Sequence, residues 1–322
     1  MPTQDSPLHP RNRNQDRYDL AAMQQTMPAI AEYIQSNKNG EDSINFSDPR
    51  AVKMLNRALL HHYYGIEYWD YPDEHLTPPI PGRADYIHYV ADLLSESLDG
   101  ALPQGRNYRC LDIGTGATMI YPIIAVAEYG WQCIGTDIHL PSLKVAEAVA
   151  NMNPKLRKNI RLRRQKNSTH ILEGIIREND NFDILVCNPP FHSSVEEAEK
   201  GTRRKLKNLS GKTQKKPTLN FSGIHPELIT EGGELQFIST LISESDQYSG
   251  SCFWYSCLVS KESNLEPLQK HLAQYNPAQT RVIDLFTGNK KARILVWSYY
   301  NEEDVKAWRE SKHKSKSQLS SK

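Results

Sequence analysis

Two short stretches carry residue types whose spacing can do chemistry. They are Asn188-Pro189-Pro190-Phe191 and, about seventy-five residues earlier, Asp112-Ile113-Gly114-Thr115-Gly116. Consecutive prolines lock the backbone, so the Asn188 amide oxygen and the Pro189 carbonyl can accept hydrogen bonds from one amino group. An amine held this way is favoured in pyramidal geometry, its lone pair free to attack an electrophilic methyl. No general base is needed before attack, because the nitrogen becomes acidic only after gaining the methyl. Phe191 would stack on a flat base, worth about 1–3 kcal/mol. An ordinary Pro-Pro turn is the competing explanation, and the position of the motif after a fourth strand weighs against it.

The glycine turn reads D-I-G-T-G-A. A dinucleotide fingerprint needs a third glycine, and Met119 stands there, so a nicotinamide enzyme is disfavoured. The loop suits a nucleotide-like ligand without a diphosphate, and S-adenosylmethionine is such a ligand. Asp137 ends the next apolar run about twenty residues on, where an acid can accept hydrogen bonds from both ribose hydroxyls. A helix cap is the alternative for Asp137. Asn167, after the third strand, is the candidate for the cofactor's adenine. Arg83 opens a helix after three prolines and can reach a ligand carboxylate through its planar fork, although spacing alone favours an exposed surface arginine.

These residues need a scaffold that brings strand ends together. The pattern predicts strand 108–113, helix 117–129, strand 132–137, helix 140–152, strand 159–164, helix 169–179 and strand 182–187. Helix 233–246, strand 252–259, helix 263–274 and closing strands at 280–286 and 292–299 follow. Such alternation implies an α/β fold with a mostly parallel seven-stranded sheet. Both motifs would then face one crevice at the switch point. Ahead of it, apolar spacing predicts a helix from Tyr18 to about Asn37, and another from Ala51 to Tyr64 capped by Ser47 or Asp48 with Pro49 first. A third runs roughly from Ala84 to Leu98, the prolines at 78, 79 and 81 keeping the segment before it extended. The expected organisation is a flexible basic arm at 1–17, an N-terminal helical unit at 18–106, and a catalytic domain at 107–300 with a basic insert at 192–218. A helix end and flexible tail occupy 301–322.

Charge nearly cancels, 39 Lys and Arg against 38 Asp and Glu, so net charge says nothing about nucleic acid. Its distribution does. Lys155 to Lys166 holds seven basic residues and no acid, and Lys200 to Lys216 holds eight and no acid. Such blocks can neutralise phosphates even in a neutral protein, or be solvated faces. The candidate RNA contacts are Arg11 and Arg13 in the arm, Arg163 and Arg164 in the first block, and Arg203, Arg204, Lys205 and Lys207 in the second. The five cysteines form no CxxC pair and fall mostly in predicted strands, which fits buried thiols in a reducing compartment better than disulfides or zinc. No apolar run approaches a membrane span, and the start lacks a signal peptide's apolar core. A soluble, cytoplasmic, metal-free monomer is expected.

Beyond these motifs the chain resembles one family over most of its length. The similarity includes HPRNR at 9–13, D-P-x-A-V-x-x-L-N-x-A-L-L at 48–60, PPIPGRADYIHYVADLL at 78–94, LDIGTGATMIYPII and CNPPFHSS. It continues through GTRRKLKNL, EGGEL at 231–235, WYSCLVS at 254–260 and a terminal WSYY. Together these resemble the 23S ribosomal RNA adenine-N6 methyltransferase F family, whose target is adenine 1618. The core is also similar to eukaryotic RNA adenine-N6 methyltransferases of the sixteenth methyltransferase-like type. The resemblance implies a Rossmann-like class I S-adenosylmethionine-dependent methyltransferase acting on 23S rRNA or a large-subunit assembly intermediate. It also implies cofactor contacts from Arg83, Gly114 and Asp137, beside the expected Asp112 and Gly116, with Arg83 on the methionine carboxylate. Asn14, Leu20 and the stretch 221–230 depart from the family pattern, away from the cofactor positions and N-P-P-F. D-I-G-T-G with N-P-P-F alone does not choose among adenine N6, guanine N2 and protein glutamine. From another class, an inert RNA-binding assembly factor on the same fold competes, and the intact Asp112, Gly114, Gly116, Asp137 and Asn188 set argues against it.

Overall fold

The computed structural model describes residues 8–190, 230–287 and 290–319. After α1 (Leu20–Thr26) comes a 3-10 turn (Pro28–Tyr33) and a short hairpin of β1 (Ile34–Ser36) and β2 (Asp42–Ile44). The single helix expected from Tyr18 to Asn37 is therefore broken. Pro28 has no N–H for an α-helical bond and clashes with the preceding turn, so the chain tightens and then extends. In α2 (Pro49–Tyr64) the capping residue is Asp48, whose carboxylate accepts from Arg50 N–H at 2.9 Å; Gly65, at φ +67°, ends the helix.

Helix α3 (Ile80–Glu96) starts four residues earlier than expected. Pro81 falls in its first turn, where a missing N–H costs nothing because that group has no helical partner. The arm expected to be flexible is docked from Leu8 onward. His9 N–H donates to Asp85 at 3.0 Å, and the Asn12 amide bonds Asp85 and, at 2.8 Å, the Pro81 carbonyl. His9 is buried, its ring 2.8 Å from the Asp92 carboxylate.

The sheet-bearing unit runs β3 (Arg109–Ile113), α4 (Ile120–Tyr129), β4 (Gln132–Asp137), α5 (Leu140–Met152), α6 (Pro154–Arg157), β5 (Ile160–Arg164) and β6 (Phe182–Cys187). Then come α7 (Gly233–Gln247), β7 (Cys252–Val259), α8 (Leu265–Ala273), β8 (Gln279–Thr287), β9 (Lys290–Ser298) and α9 (Glu302–Leu319). α9 carries helix through most of the expected tail. The seven-stranded sheet has the order β5-β4-β3-β6-β7-β9-β8, parallel except where β9 lies antiparallel to both neighbours.

Strand alternation sorts the core onto the two faces of this sheet. Cys110, Ile184, Val186 and Trp254 pack with residues of α2 to α5, while Leu111, Ile113, Leu185, Cys187 and Tyr255 pack with α7 and α8. Every residue of β6 and β7 is buried, which is why both read as unbroken apolar runs. The helix expected at 169–179 is a series of turns. Its backbone N–H groups at Ile171, Leu172 and Glu173 are taken by the Glu244 carboxylate on α7, at 2.5–3.1 Å, instead of by helical carbonyls.

Candidate active site

The chain leaves β3 toward β4 on one side and reaches β6 on the other, so a crevice opens above the carboxyl ends of these strands. There a cleft of about 980 Å³ is lined by the glycine loop, the end of β4, the turns after β5, Asn188 and Pro190, and the first turns of α7.

The glycine loop turns through left-handed backbone at Gly114 (φ +73°) and Gly116 (φ +61°), conformations that disfavour a Cβ. A Cβ built on Gly114 would meet open space, so only the backbone angle demands glycine there. Gly135 differs. A Cβ there would lie 2.8 Å from Thr115 Oγ1, so a bare strand lets the loop settle onto β4, where Thr115 N–H donates to the Thr136 carbonyl at 2.8 Å. Met119, where a dinucleotide loop has its third glycine, is buried at φ +35° and opens α4.

Asp137 lines the cleft and braces the loop. Its two carboxylate oxygens accept the Gly116 N–H at 2.9 Å and the His139 N–H at 2.8 Å. Helix α5 is capped by His139 instead, so the capping explanation for Asp137 does not hold. Arg83 also lines the cleft, its guanidinium donating to the Tyr121 hydroxyl at 2.7 Å from the first turn of α3. The surface-arginine alternative is thereby set aside.

Asp112, expected among the cofactor contacts, lies beneath the loop and does not line the cleft. Burial pushes its carboxyl up to about 8; Asp137 adds to the rise, while Thr115 and Arg83 oppose it. Neither Asp112 oxygen has a hydrogen-bond partner of normal geometry among the described residues. Asn167, the candidate for the adenine contact, does not line the cleft either. Its oxygen accepts from Thr169 N–H at 3.0 Å and Thr169 Oγ1 at 2.8 Å, a local turn that occupies the amide oxygen. Gln165 and the segment from Ser168 to Ile171 line that end of the cleft in its place.

At the opposite wall, the Asn188 Oδ1 atom is buried and has no hydrogen-bond partner among the described residues. An orphaned acceptor costs about 1–3 kcal/mol, and here it borders the cleft. Pro189 is buried behind it and Pro190 lines the cleft beside it; Phe191 lies outside the described residues. The loop glycines and Asp137 at one end, and an unsatisfied amide oxygen at the other, fit a nucleoside cofactor beside an amino-bearing substrate. Among the described residues no group of His, Cys, Asp and Glu is placed to hold a metal, and no helix is long and apolar enough to cross a membrane.

The basic residues separate into distinct environments. Arg11 bonds Asp92 at 2.7 Å and Tyr129, and Arg13 pairs with Glu128 at 2.6 Å. Arg163 turns away from solvent onto Asp180, with one contact at 3.1 Å, so its part in the first block is structural. Arg164 is exposed at the end of β5, in register with Asp137. Arg203, Arg204, Lys205 and Lys207 lie outside the described residues. Sequence reasoning missed Gly135, Gln165 and Glu244. Of these only Gly135 carried a local signal, a glycine inside a strand that marks close backbone approach.

Comparison with known proteins agrees with this geometry. A family model described as RNA methyltransferase matches residues 2–301. Ribosomal RNA large subunit methyltransferase F of Yersinia enterocolitica is 47% identical over 311 residues, covering 96% of this chain and 92% of that protein. The protein of the same name from Bacteroides fragilis is 50% identical over 299 residues, 91% of this chain and 98% of its own length. Among solved structures, the hMettl16 catalytic domain in complex with MAT2A 3′UTR hairpin 1 superposes with a TM-score of 0.77 at 31% identity, covering 92% of this chain and 96% of that one. The N-terminal domain of human METTL16 in complex with SAH gives a TM-score of 0.72 at 28% identity, covering 91% and 99%.

Proposed function

This chain belongs to the ribosomal RNA large subunit methyltransferase F family, S-adenosylmethionine-dependent RNA methyltransferases, and from that premise we propose that it methylates the exocyclic N6 of adenine 1618 in 23S rRNA. The observation that carries the amino-nitrogen assignment is the buried Asn188 oxygen on the cleft wall, which has no hydrogen-bond partner among the described residues. A substrate NH₂ group supplies the donor this acceptor lacks, and the Pro189 carbonyl takes its second hydrogen. Holding both hydrogens orients the nitrogen and keeps its lone pair out of the ring. Positioning of this kind provides much of the rate in group transfer. Phe191 stacks on the displaced adenine, which leaves its helix before reaction.

S-adenosylmethionine supplies the electrophilic methyl when bound. Arg83 holds the methionine carboxylate, Gly114 and Gly116 admit the backbone close to the ligand, and Asp137 takes the ribose hydroxyls. Gln165 and the turn from Ser168 enclose the adenine end. Arg164 and the insert residues Arg203, Arg204, Lys205 and Lys207 contact RNA phosphates, with Arg11 and Arg13 contributing where their acidic partners yield. The enzyme works in the cytoplasm as a monomer on 23S rRNA or a large-subunit assembly intermediate.

The test uses labelled S-adenosylmethionine and rRNA from cells lacking the gene, with digestion to nucleosides and Asn188→Ala run alongside. N6-methyladenosine from wild type and none from the variant is the expected result. N2-methylguanosine would overturn the substrate assignment. Label absent from both naked rRNA and ribosomal particles would point to an inert binding factor.

A further inference from the structure

Tyr86 follows Arg83 on α3 by three residues, so the two side chains share one face of the helix. Tyr86 is fully buried, and its hydroxyl reaches the backbone of Cys187, the residue immediately before Asn188. Cys187 N–H donates to Tyr86 Oη at 3.3 Å, and Tyr86 Oη lies 3.0 Å from Ser256 Oγ on β7. Ser256 Oγ in turn donates to the Leu185 carbonyl at 2.6 Å.

Proton counting fixes the direction of this chain. Each hydroxyl has one hydrogen, and that of Ser256 is spent on Leu185. Tyr86 must then donate to Ser256, its better contact than the Cys187 carbonyl at 3.4 Å. The result is a one-way run from Cys187 N–H through Tyr86 and Ser256 to the Leu185 carbonyl. Burial pushes the Tyr86 phenol well above its ordinary range, so the proton stays in place.

The run clamps the last residues of β6 from two other elements. Asn188 Oδ1 has no partner among the described residues to hold it, so its direction depends on the peptide it leaves and on the proline that follows. Tyr86 also packs edge-on against Tyr121, with ring centroids 5.2 Å apart, and the Tyr121 hydroxyl accepts from Arg83. One helix therefore braces both the cofactor end and the amine end of the cleft.

We propose that Tyr86, acting through Ser256 and the Cys187 peptide, is a positioning residue for methyl transfer. This rests on the reading that Asn188 holds the substrate amine. A misplacement of the order of an ångström at a reacting group can cost about 100-fold in rate. The full-length Tyr86→Phe protein is expected to lose about 10- to 100-fold in single-turnover methylation of rRNA. Its Kd for S-adenosylhomocysteine by calorimetry, and its KM for rRNA, should stay within about twofold of wild type, the split expected when only transition-state interactions are lost.

Tyr255→Phe is the control. It removes an equally buried tyrosine hydroxyl, bonded to the Tyr248 carbonyl at 2.6 Å, from the opposite face of the sheet, and should keep the wild-type rate. Ser256→Ala breaks the same run without touching α3 and decides the matter by the same criteria if Tyr86→Phe fails to fold. A wild-type rate in Tyr86→Phe, a rate loss matched by lost S-adenosylhomocysteine affinity, or an equal loss in Tyr255→Phe each overturns the inference. Asn188→Ala separates the two levels. If it is inactive while Tyr86→Phe is normal, only the inference fails; if it is fully active, the reading beneath fails too.

Discussion

Asn188 and Asn153 make opposite predictions from the same residue type. Asn153 is a structural clamp. Its oxygen accepts N–H groups of Glu67 at 3.0 Å and Tyr68 at 3.2 Å, and its nitrogen donates to Tyr68 and Val149 carbonyls at 2.6 and 2.8 Å. Asn153→Ala breaks all four bonds and strands buried groups, a loss of about 3–5 kcal/mol at roughly 1 kcal/mol per bond. Asn188→Ala removes an acceptor that has no partner among the described residues, recovering about 1–3 kcal/mol of desolvation. Against that stands the packing of one small amide, about 1 kcal/mol. The expected change is therefore from neutral to about 2 kcal/mol of stabilisation. For a chain of 322 residues, unfolding entropy of about 2.1 cal/mol/K per residue makes 1 kcal/mol worth roughly 1.5 °C. In differential scanning calorimetry without ligand, Asn153→Ala should melt about 4–8 °C low, and Asn188→Ala level with wild type or up to about 3 °C high. Methylation of rRNA should survive in Asn153→Ala below its melting range. It should fall by about 100- to 1,000-fold in Asn188→Ala, the scale of losing one directed hydrogen-bonding group at a reacting centre. An Asn188→Ala protein that melts as low as Asn153→Ala, or that retains activity, would refute the reasoning, because the orphaned oxygen would then be serving the fold.

Asp112 makes stability depend on pH with a definite sign. Its folded pKa of about 8 exceeds the ordinary unfolded value of about 3.9. The folded state keeps a proton that the unfolded state loses, so stability falls as pH rises from about 4 to about 8. Asp112→Asn mimics the protonated acid, so its melting advantage over wild type should grow across that window and level off above it; a flat difference refutes the assignment. Glu244→Ala strands the three N–H groups of Ile171 to Glu173 and frees the turn that lines the cleft. It should cost about 3 kcal/mol and weaken S-adenosylhomocysteine binding in titration calorimetry, and unchanged affinity would show that the turn needs no brace. Replacing Arg203, Arg204, Lys205 and Lys207 by glutamine should reduce the slope of log K for RNA against log salt by up to about 3, from roughly 0.7 per single-strand phosphate contact. An unchanged slope removes the insert from the RNA path.

The sheet, its order of elements and the motifs that meet at the two ends of the cleft were legible in the sequence because each rests on a local rule. Buried parallel strands must be apolar throughout, as in Phe182–Cys187 and Cys252–Val259. Left-handed turns call for glycine, as at Gly114 and Gly116, and paired prolines stiffen what precedes and follows them. Tertiary partners decided the rest. The segment 169–179 has the apolar residues of a helix, but Glu244, more than seventy residues later, captures its N–H groups and holds it as turns. Composition marked His9 to Arg13 as a free basic arm, whereas Asp85, Asp92 and Glu128 dock it to the N-terminal unit and α4. Asp112 and Asp137 are both acids at strand ends. Only the structure buries the first without a hydrogen-bond partner among the described residues and turns the second into the cleft. Backbone conformation and burial follow from neighbours along the chain, but a side chain's charge state and purpose follow from what the fold brings against it. That information lies in residues far away in sequence.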